Sequence, residues 1–214
     1  MKIQRVVLQG PVDVAIRLKE LGLTPDILRE AVSRGQAARE TCTPNDPPAM
    51  VGIFGWGRTV RALRELLLSE GWDRSEDDNL STVVNESKDI AIAVALGDAL
   101  TGTSPPQTPK TKYPRGIATA AAIERNVSQL ELFPPDQSIP RPYPAKRITW
   151  LLLVCPTENE VRCELSLPAS VGEDDRVEAW MERIVLEPIG LDPNPNTKAD
   201  SEPAIEVTVT RKAH

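Results

Sequence analysis

An α+β domain built on a mainly antiparallel sheet of about five strands, with packed helices and long proline-rich loops, is the fold class this sequence predicts. Three observations carry that expectation. Residues 148 to 167 read as a hairpin: the apolar run ITWLLLV is followed by RCELSLP, where Cys163, Leu165 and Leu167 share one face and Arg162, Glu164 and Ser166 the other. Ile90 to Leu96 forms a second strong strand, with Ile90, Ile92, Val94 and Leu96 on one side and Ala91, Ala93 and Ala95 on the other. Helical stripes fill much of the first seventy residues, so residues 1–50 read as a helical section packed on a main α+β domain of residues 51–214.

Taken in order, IQRVVL at residues 3 to 8 is too short to settle its period. Val12, Ala15, Ile16 and Leu18 then mark a short helix that ends near Gly22. Thr24 offers an N-cap oxygen to a second helix, Pro25 takes its first position, and Ile27, Leu28, Ala31 and Val32 supply its stripe. TCTPNDPP is a turn. VGIFGWG reads as an apolar turn seating Phe54 and Trp56 before a helix from about Arg58 to Ser69, with Val60, Leu63, Leu66 and Leu67 inward and Gly71 closing it. After the acidic stretch DRSEDDN, Thr82 to Val84 pairs with Ile90 to Leu96 through a NESKD turn.

The alanine face of that second strand predicts an element packed unusually close. Residues 97 to 112 read as a long, mobile loop, Ile117 to Arg125 as a short helix, and 130 to 147, with five prolines, as an extended crossing. Ser170 with Glu173 resembles a capping box for a helix bearing Val177, Trp180, Met181 and Ile184. AIEVTVT closes the sheet, with Ile205, Val207 and Val209 inward.

Composition narrows the function. A net charge of -6 works against non-specific polyanion binding, so any such site must be a local basic patch. The apolar run at the start is short for a signal peptide, and no apolar run reaches the length of a membrane span. Cys42, Cys155 and Cys163 form neither an even disulfide framework nor a C-x-x-C pair, which points to a reducing, cytoplasmic setting. The sole histidine is His214, which argues against Ser-His-Asp, Cys-His and histidine-rich zinc chemistry. Three scattered cysteines argue against structural zinc, and no Walker-type phosphate loop is present.

Four features remain. Gly52, Gly55 and Gly57 are spaced unlike a dinucleotide fingerprint, but a helix start beside Arg58 offers an anion free N–H groups. Asp89, Asp98 and Glu164, with Glu65 on a preceding helix, are the carboxylates that strands would have to gather around a divalent cation such as Mg2+. This order of a carboxylate-bearing strand before a second acidic strand resembles the restriction-endonuclease-like nuclease core, which implies a metal-dependent phosphoester hydrolase. The family's Glu-x-Lys segment reads Glu164, Leu165, Ser166 here, so its lysine is missing. PKTKYPRG sets Lys110, Lys112 and Arg115 around Tyr113 just before a helix, a pattern suited to a phosphate backbone or an acidic protein surface. Trp56 and Trp72 flank the Arg58 helix as candidate anchors for a partner.

The leading expectation is a non-enzymatic binding or regulatory protein. Its partner, a protein or a nucleic acid, contacts Lys110, Lys112, Tyr113 and Arg115, with Arg58 and Trp56 as further binding residues and no cofactor. The alternatives are the hydrolase using Asp89, Asp98 and Glu164, and a structural subunit of a homo-oligomer or larger assembly.

Overall fold

The computed structural model describes residues 6–132 and 147–191. In chain order the elements are strand β1 (Val6–Leu8), helices α1 (Pro11–Glu20), α2 (Pro25–Glu40) and α3 (Pro48–Leu68), and strands β2 (Asp73–Ser75), β3 (Thr82–Asn85) and β4 (Ile90–Leu96). Helix α4 (Ile117–Leu132) and strands β5 (Ile148–Pro156), β6 (Glu160–Val171), β7 (Val177–Val185) and β8 (Ile189–Gly190) complete the described chain. The strands lie in the order β1-β7-β6-β5-β4-β3-β2, with β8 pairing the start of β6 beyond the end of β7.

This overturns the expected sheet. Eight strands are present among the described residues rather than about five, and the sheet is mixed, because β4 runs parallel to β5 and β1 parallel to β7. The parallel β4–β5 pair arises because the chain leaves β4 through the 97–116 loop and α4 before it re-enters beside β4. That long connection is what a parallel neighbour requires.

The central hairpin is where the sequence puts it. Leu151 to Leu153 are wholly buried, and β5 pairs β6 from Leu151 with Ser166 to Pro156 with Val161. One face of the sheet carries Ile92, Val94, Trp150, Leu152, Leu165 and Ile184, packed against Leu18 of α1, Leu28 and Val32 of α2 and Leu63 and Leu67 of α3. The opposite face carries Ala93, Ala95, Leu151, Leu153 and Trp180 against Ile123 of α4. Ala93 and Ala95 are buried in the same cluster as Ile123, but α4 makes its close approach to β5 and β6 rather than to the alanine stripe of β4. Arg17 fixes α1 to the sheet by a bidentate bond to Glu182, at 2.6 and 2.8 Å, with its guanidinium 5.9 Å from the Trp150 ring centre.

Two segments depart from their expected form. Residues 177–185 are β7, not a helix. Irregular register opposite Leu167 to Val171, together with burial of side chains from both faces, spaces the buried residues so that they imitate a helical repeat. Ser170 accordingly lies inside β6 rather than capping a helix. The GIFGWG segment is not a turn before Arg58: α3 begins at Pro48, which stands at the N-terminus where its missing N–H costs nothing, and runs through all three glycines. Gly71, at φ +80°, follows the end of α3 as expected. α4 extends past Arg125 to Leu132, so part of the expected proline-rich crossing is helix. The rest of that crossing, and AIEVTVT, lie outside the described residues.

The helices α2 and α3 meet at glycines. A methyl group at Gly35 would lie 1.9 Å from Thr59 Oγ1 and 2.8 Å from the Gly55 carbonyl oxygen, and one at Gly55 would meet Arg39 Cγ at 2.7 Å. Thr59 Oγ1 spends its proton on Gly55 O at 2.8 Å, so the contact is polar as well as close. A Gly35→Ala substitution is expected to destabilise the fold by ~1–3 kcal/mol even though alanine is the better helix former, because backbone cannot move aside cheaply. Urea unfolding checks this; an unchanged midpoint would mean the helices do not touch there.

Candidate functional site

The loop of residues 97 to 112, expected to be mobile, is pinned to the sheet. Glu164, which alternation sets on one face of β6 with Arg162 and Ser166, is wholly buried, as is Ser166, while Arg183 is 3% exposed. Arg183 donates from Nε to Glu164 Oε1 at 2.9 Å and from Nη2 to Oε2 at 2.6 Å. Its remaining donors reach the loop carbonyls of Gln107, at 2.9 Å, and Thr103, at 3.1 Å. Glu164 also accepts from the Gly102 N–H at 2.8 Å and from Ser166 Oγ at 2.7 Å. Trp180 Nε1 donates to Pro109 O at 2.7 Å, which fastens the loop at a further point.

From Lys110 onward the loop becomes part of the sheet. Gly97 and Thr111 form an antiparallel bridge, the Lys112 N–H donates to Leu96 O at 2.8 Å, and the Thr111 N–H donates to Val177 O at 3.0 Å. Asp98 organises the bend. Its Oδ1 accepts from the Leu100 N–H and its Oδ2 from the Lys110 N–H, each at 3.0 Å.

These contacts decide where the sequence candidates stand. Asp89 precedes β4 at a left-handed turn with φ 52°, and Asp98 follows the opposite end of that strand, so along a strand rise of ~3.3 Å per residue the two lie more than ~20 Å apart. Glu164 faces Arg183. The three carboxylates are not brought together, and among the described residues no group of three or more His, Cys, Asp or Glu side chains is placed to hold a metal ion. Glu65 lies on the outer side of α3, where a hydrogen bond from Arg61 holds its carboxyl below the usual carboxylate range.

The basic loop is only partly a basic patch. Lys110 Nζ sits 2.6 Å from Glu178, which raises its pKa above the ordinary lysine value. Arg115 is half-buried, burial lowers its pKa, and its backbone N–H donates to Asp175 O at 2.7 Å. Lys112 lies 5.8 Å from the centre of the Tyr113 ring. Tyr113 is 56% exposed and Ile117, which the sequence reading passed over, is 90% exposed. The segment thus presents one lysine, one aromatic ring and one isoleucine on a backbone held at Lys112 and Arg115. The sequence signal for Ile117 was available as an apolar residue at the first position of a helix, with nothing in front of it to bury it.

Arg58 and Trp56 lie on α3, remote from that loop in the chain and across the sheet from it. Trp56 is part-exposed, yet its Nε1 donates inward to Val94 O at 3.2 Å, just past the last β3 partner of β4. Arg58 lies on an open groove of about 490 Å3 between α2 and α3, with Arg34, Arg61 and Phe54. Trp72 is a core residue rather than an anchor, being 2% exposed.

Cys155 and Cys163 are both free. Cys163 pairs with Val154 and Cys155 with Arg162, so alternation sends the two thiols to opposite faces of the sheet. Burial pushes the Cys163 thiol up to about 12 and raises Cys155 as well. Alkylation by iodoacetamide at neutral pH is expected to label Cys42 in the folded protein and Cys163 only after denaturation, as read by mass spectrometry of the peptides.

Comparison with protein-family models, with curated proteins and with solved structures returned no match. No helix of the described residues is long and apolar enough to cross a membrane.

Removing the cation from the buried pair leaves an uncompensated carboxylate. Arg183→Met is therefore expected to cost ~3–5 kcal/mol, and to speed hydrogen exchange at the Gly102 amide ahead of global unfolding. Native-state exchange measured by mass spectrometry or NMR checks both; slow exchange at Gly102 in the variant would show that the loop does not need this pair.

Proposed function

We propose that this chain is a non-catalytic binding or regulatory protein whose partner docks on the exposed side of residues 112–117. The observation that carries the reading is the pair Tyr113 and Ile117, two large apolar side chains left in solvent on a backbone fixed by the Lys112 and Arg115 N–H bonds. A side chain held out by an ordered loop loses little conformational entropy on binding, and an aromatic beside an aliphatic group is the usual make-up of an interface anchor. Lys112 beside the ring adds a charge-assisted contact at the rim, so an acidic residue next to an apolar pocket is the complementary surface.

Local charge favours a protein over a nucleic acid as partner. Lys110 is paired with Glu178, and the turn that follows β6 carries Glu173, Asp174 and Asp175, with the Asp175 carbonyl directly bonded to the loop. A phosphate backbone would meet these carboxylates along with Lys112.

Tyr113→Ser combined with Ile117→Ser is expected to leave thermal stability within ~0.5 kcal/mol, since both side chains are more exposed than covered, and to lower partner affinity by at least about tenfold. The check is quantitative capture from native lysate with wild-type and variant chains, with and without nuclease, followed by binding measurements on the purified partner. Equal capture by the variant would count against this surface. Loss of capture on nuclease treatment would point to nucleic acid instead.

A further inference from the structure

The helical layer on the far side of the sheet carries, on α2 and α3, a second surface independent of the 112–117 loop. α2 and α3 bury their inner sides on the sheet, and their outer sides leave the open groove. Its walls follow two helical stripes: Arg34, Ala37, Ala38 and Thr41 on α2, spaced i, i+3, i+4, i+7, and Phe54, Arg58, Arg61, Ala62 and Glu65 on α3. The floor is alanine, so the groove is shallow in side chains and admits another backbone closely. From Phe54 to Glu65 it runs about 16 Å, the length of three helical turns. Phe54 stands 39% exposed at one end.

The charges in the groove are unbalanced. Glu65 is shared by Arg61 at 2.6 Å and Arg34 at 3.7 Å, and Arg34 also holds Glu30 at 2.8 Å. Arg58 is exposed and makes no direct salt bridge among the described residues, although its charge, with those of Arg61 and Arg34, acts on Glu65. A positive groove on a chain of net charge -6 is a local reversal of the overall sign.

We propose that this groove receives an acidic amphipathic helix of a partner protein, with a carboxylate on Arg58 and an apolar side chain against Phe54 and the alanine floor. Length, stripe spacing and small-residue floor fit the helix-in-groove mode, and the arginines select the sign of its polar edge. Its location across the sheet from Tyr113 makes the chain able to hold two partners at once.

The test uses the whole chain and a defined probe: a fluorescein-labelled helical peptide of about 14 residues with adjacent Glu and Leu stripes, about four turns long. Fluorescence anisotropy is read at low and at physiological salt. Binding is expected for this peptide and not for its Glu→Lys counterpart, with at least a tenfold loss in Arg58→Glu, a loss of several fold in Phe54→Ala, and weakening by salt. Thermal melts of both variants, whose side chains are exposed, should match the wild type. Tyr113→Ser with Ile117→Ser should bind the peptide normally. The proposal is overturned if the Lys peptide binds as well as the Glu peptide, if Arg58→Glu leaves affinity unchanged, or if no binding is measurable at low salt. It is overturned equally if an unlabelled single-stranded oligonucleotide displaces the peptide at lower concentration than unlabelled peptide does, or if sedimentation shows that the groove is covered by a second copy of the chain.

Discussion

A carboxylate buried in the middle of a sheet is costly unless every oxygen finds a donor, and Glu164 finds its donors in Arg183, Ser166 and Gly102. Taking both ions out of water costs several kcal/mol each, so the pair itself gives little net stability over an apolar substitute. What it gives is position. Arg183 has donors left over, and the groups that accept them are the Thr103 and Gln107 carbonyls of a loop with no strand partner of its own at those residues. An apolar face would have let the loop settle at many offsets, whereas this one fixes it by direction as well as distance. From there Trp180 and the Gly97–Thr111 bridge carry the order forward to Tyr113, so the exposure of that ring depends on a charge pair that grips the loop several residues before it.

The same need to satisfy backbone groups explains two side chains that the helices send into the sheet. β3 pairs with β4 only as far as Thr82 with Ala93, and the next outward carbonyl, that of Val94, accepts from Trp56. β6 parts from β5 after Ser166, short of Pro168, which has no N–H to offer. Thr149 is then served by Asn126 of α4, whose amide accepts from its N–H at 2.9 Å and donates to its carbonyl at 2.8 Å. Asn126 is wholly buried. A helix residue standing in for a missing strand keeps the ladder closed where a bare backbone group would cost ~1–3 kcal/mol. Trp56, which in the sequence resembles a surface anchor, is thus half occupied with structure.

How much of this was legible depends on whether a residue's neighbours lie nearby in the chain. The 148–167 hairpin, the Thr82–Leu96 hairpin and the first two helices are written in local periodicity and caps: Thr24 Oγ1 does accept from the Ile27 N–H, at 3.3 Å. β7 imitates a helix in sequence because its buried positions answer to both faces and to a broken register, and period alone cannot separate the two. Alternation sets Glu164 and Ser166 on a polar face of β6 and reports the polarity of that face, not what lies over it. Their cover comes from residues about sixty positions earlier, and no spacing rule connects the two. Gly55 had a legible cause only once Arg39 was placed against it; nothing in the structure requires glycine at Gly57, which has open space around it.

The distribution of charge follows from how the sheet ends. Residues 70–89 hold seven carboxylates against Arg74 and Lys88, and Arg64, Arg125 and Arg147 come in from other parts of the chain to pair with Glu76, with Asp78, and with Asp77 and Glu86. That edge is three residues long, Asp73 and Arg74 on it are exposed, and Arg64 reaches across from α3 to bond Ser75 O and Thr82 O at 3.2 and 3.1 Å. Short length and charge are how a sheet edge resists adding a foreign strand. The outer side of α2 and α3 differs: Arg34, Arg58 and Arg61 stand there against Glu30 and Glu65, and on that local excess of cations the proposed docking of an acidic helix rests.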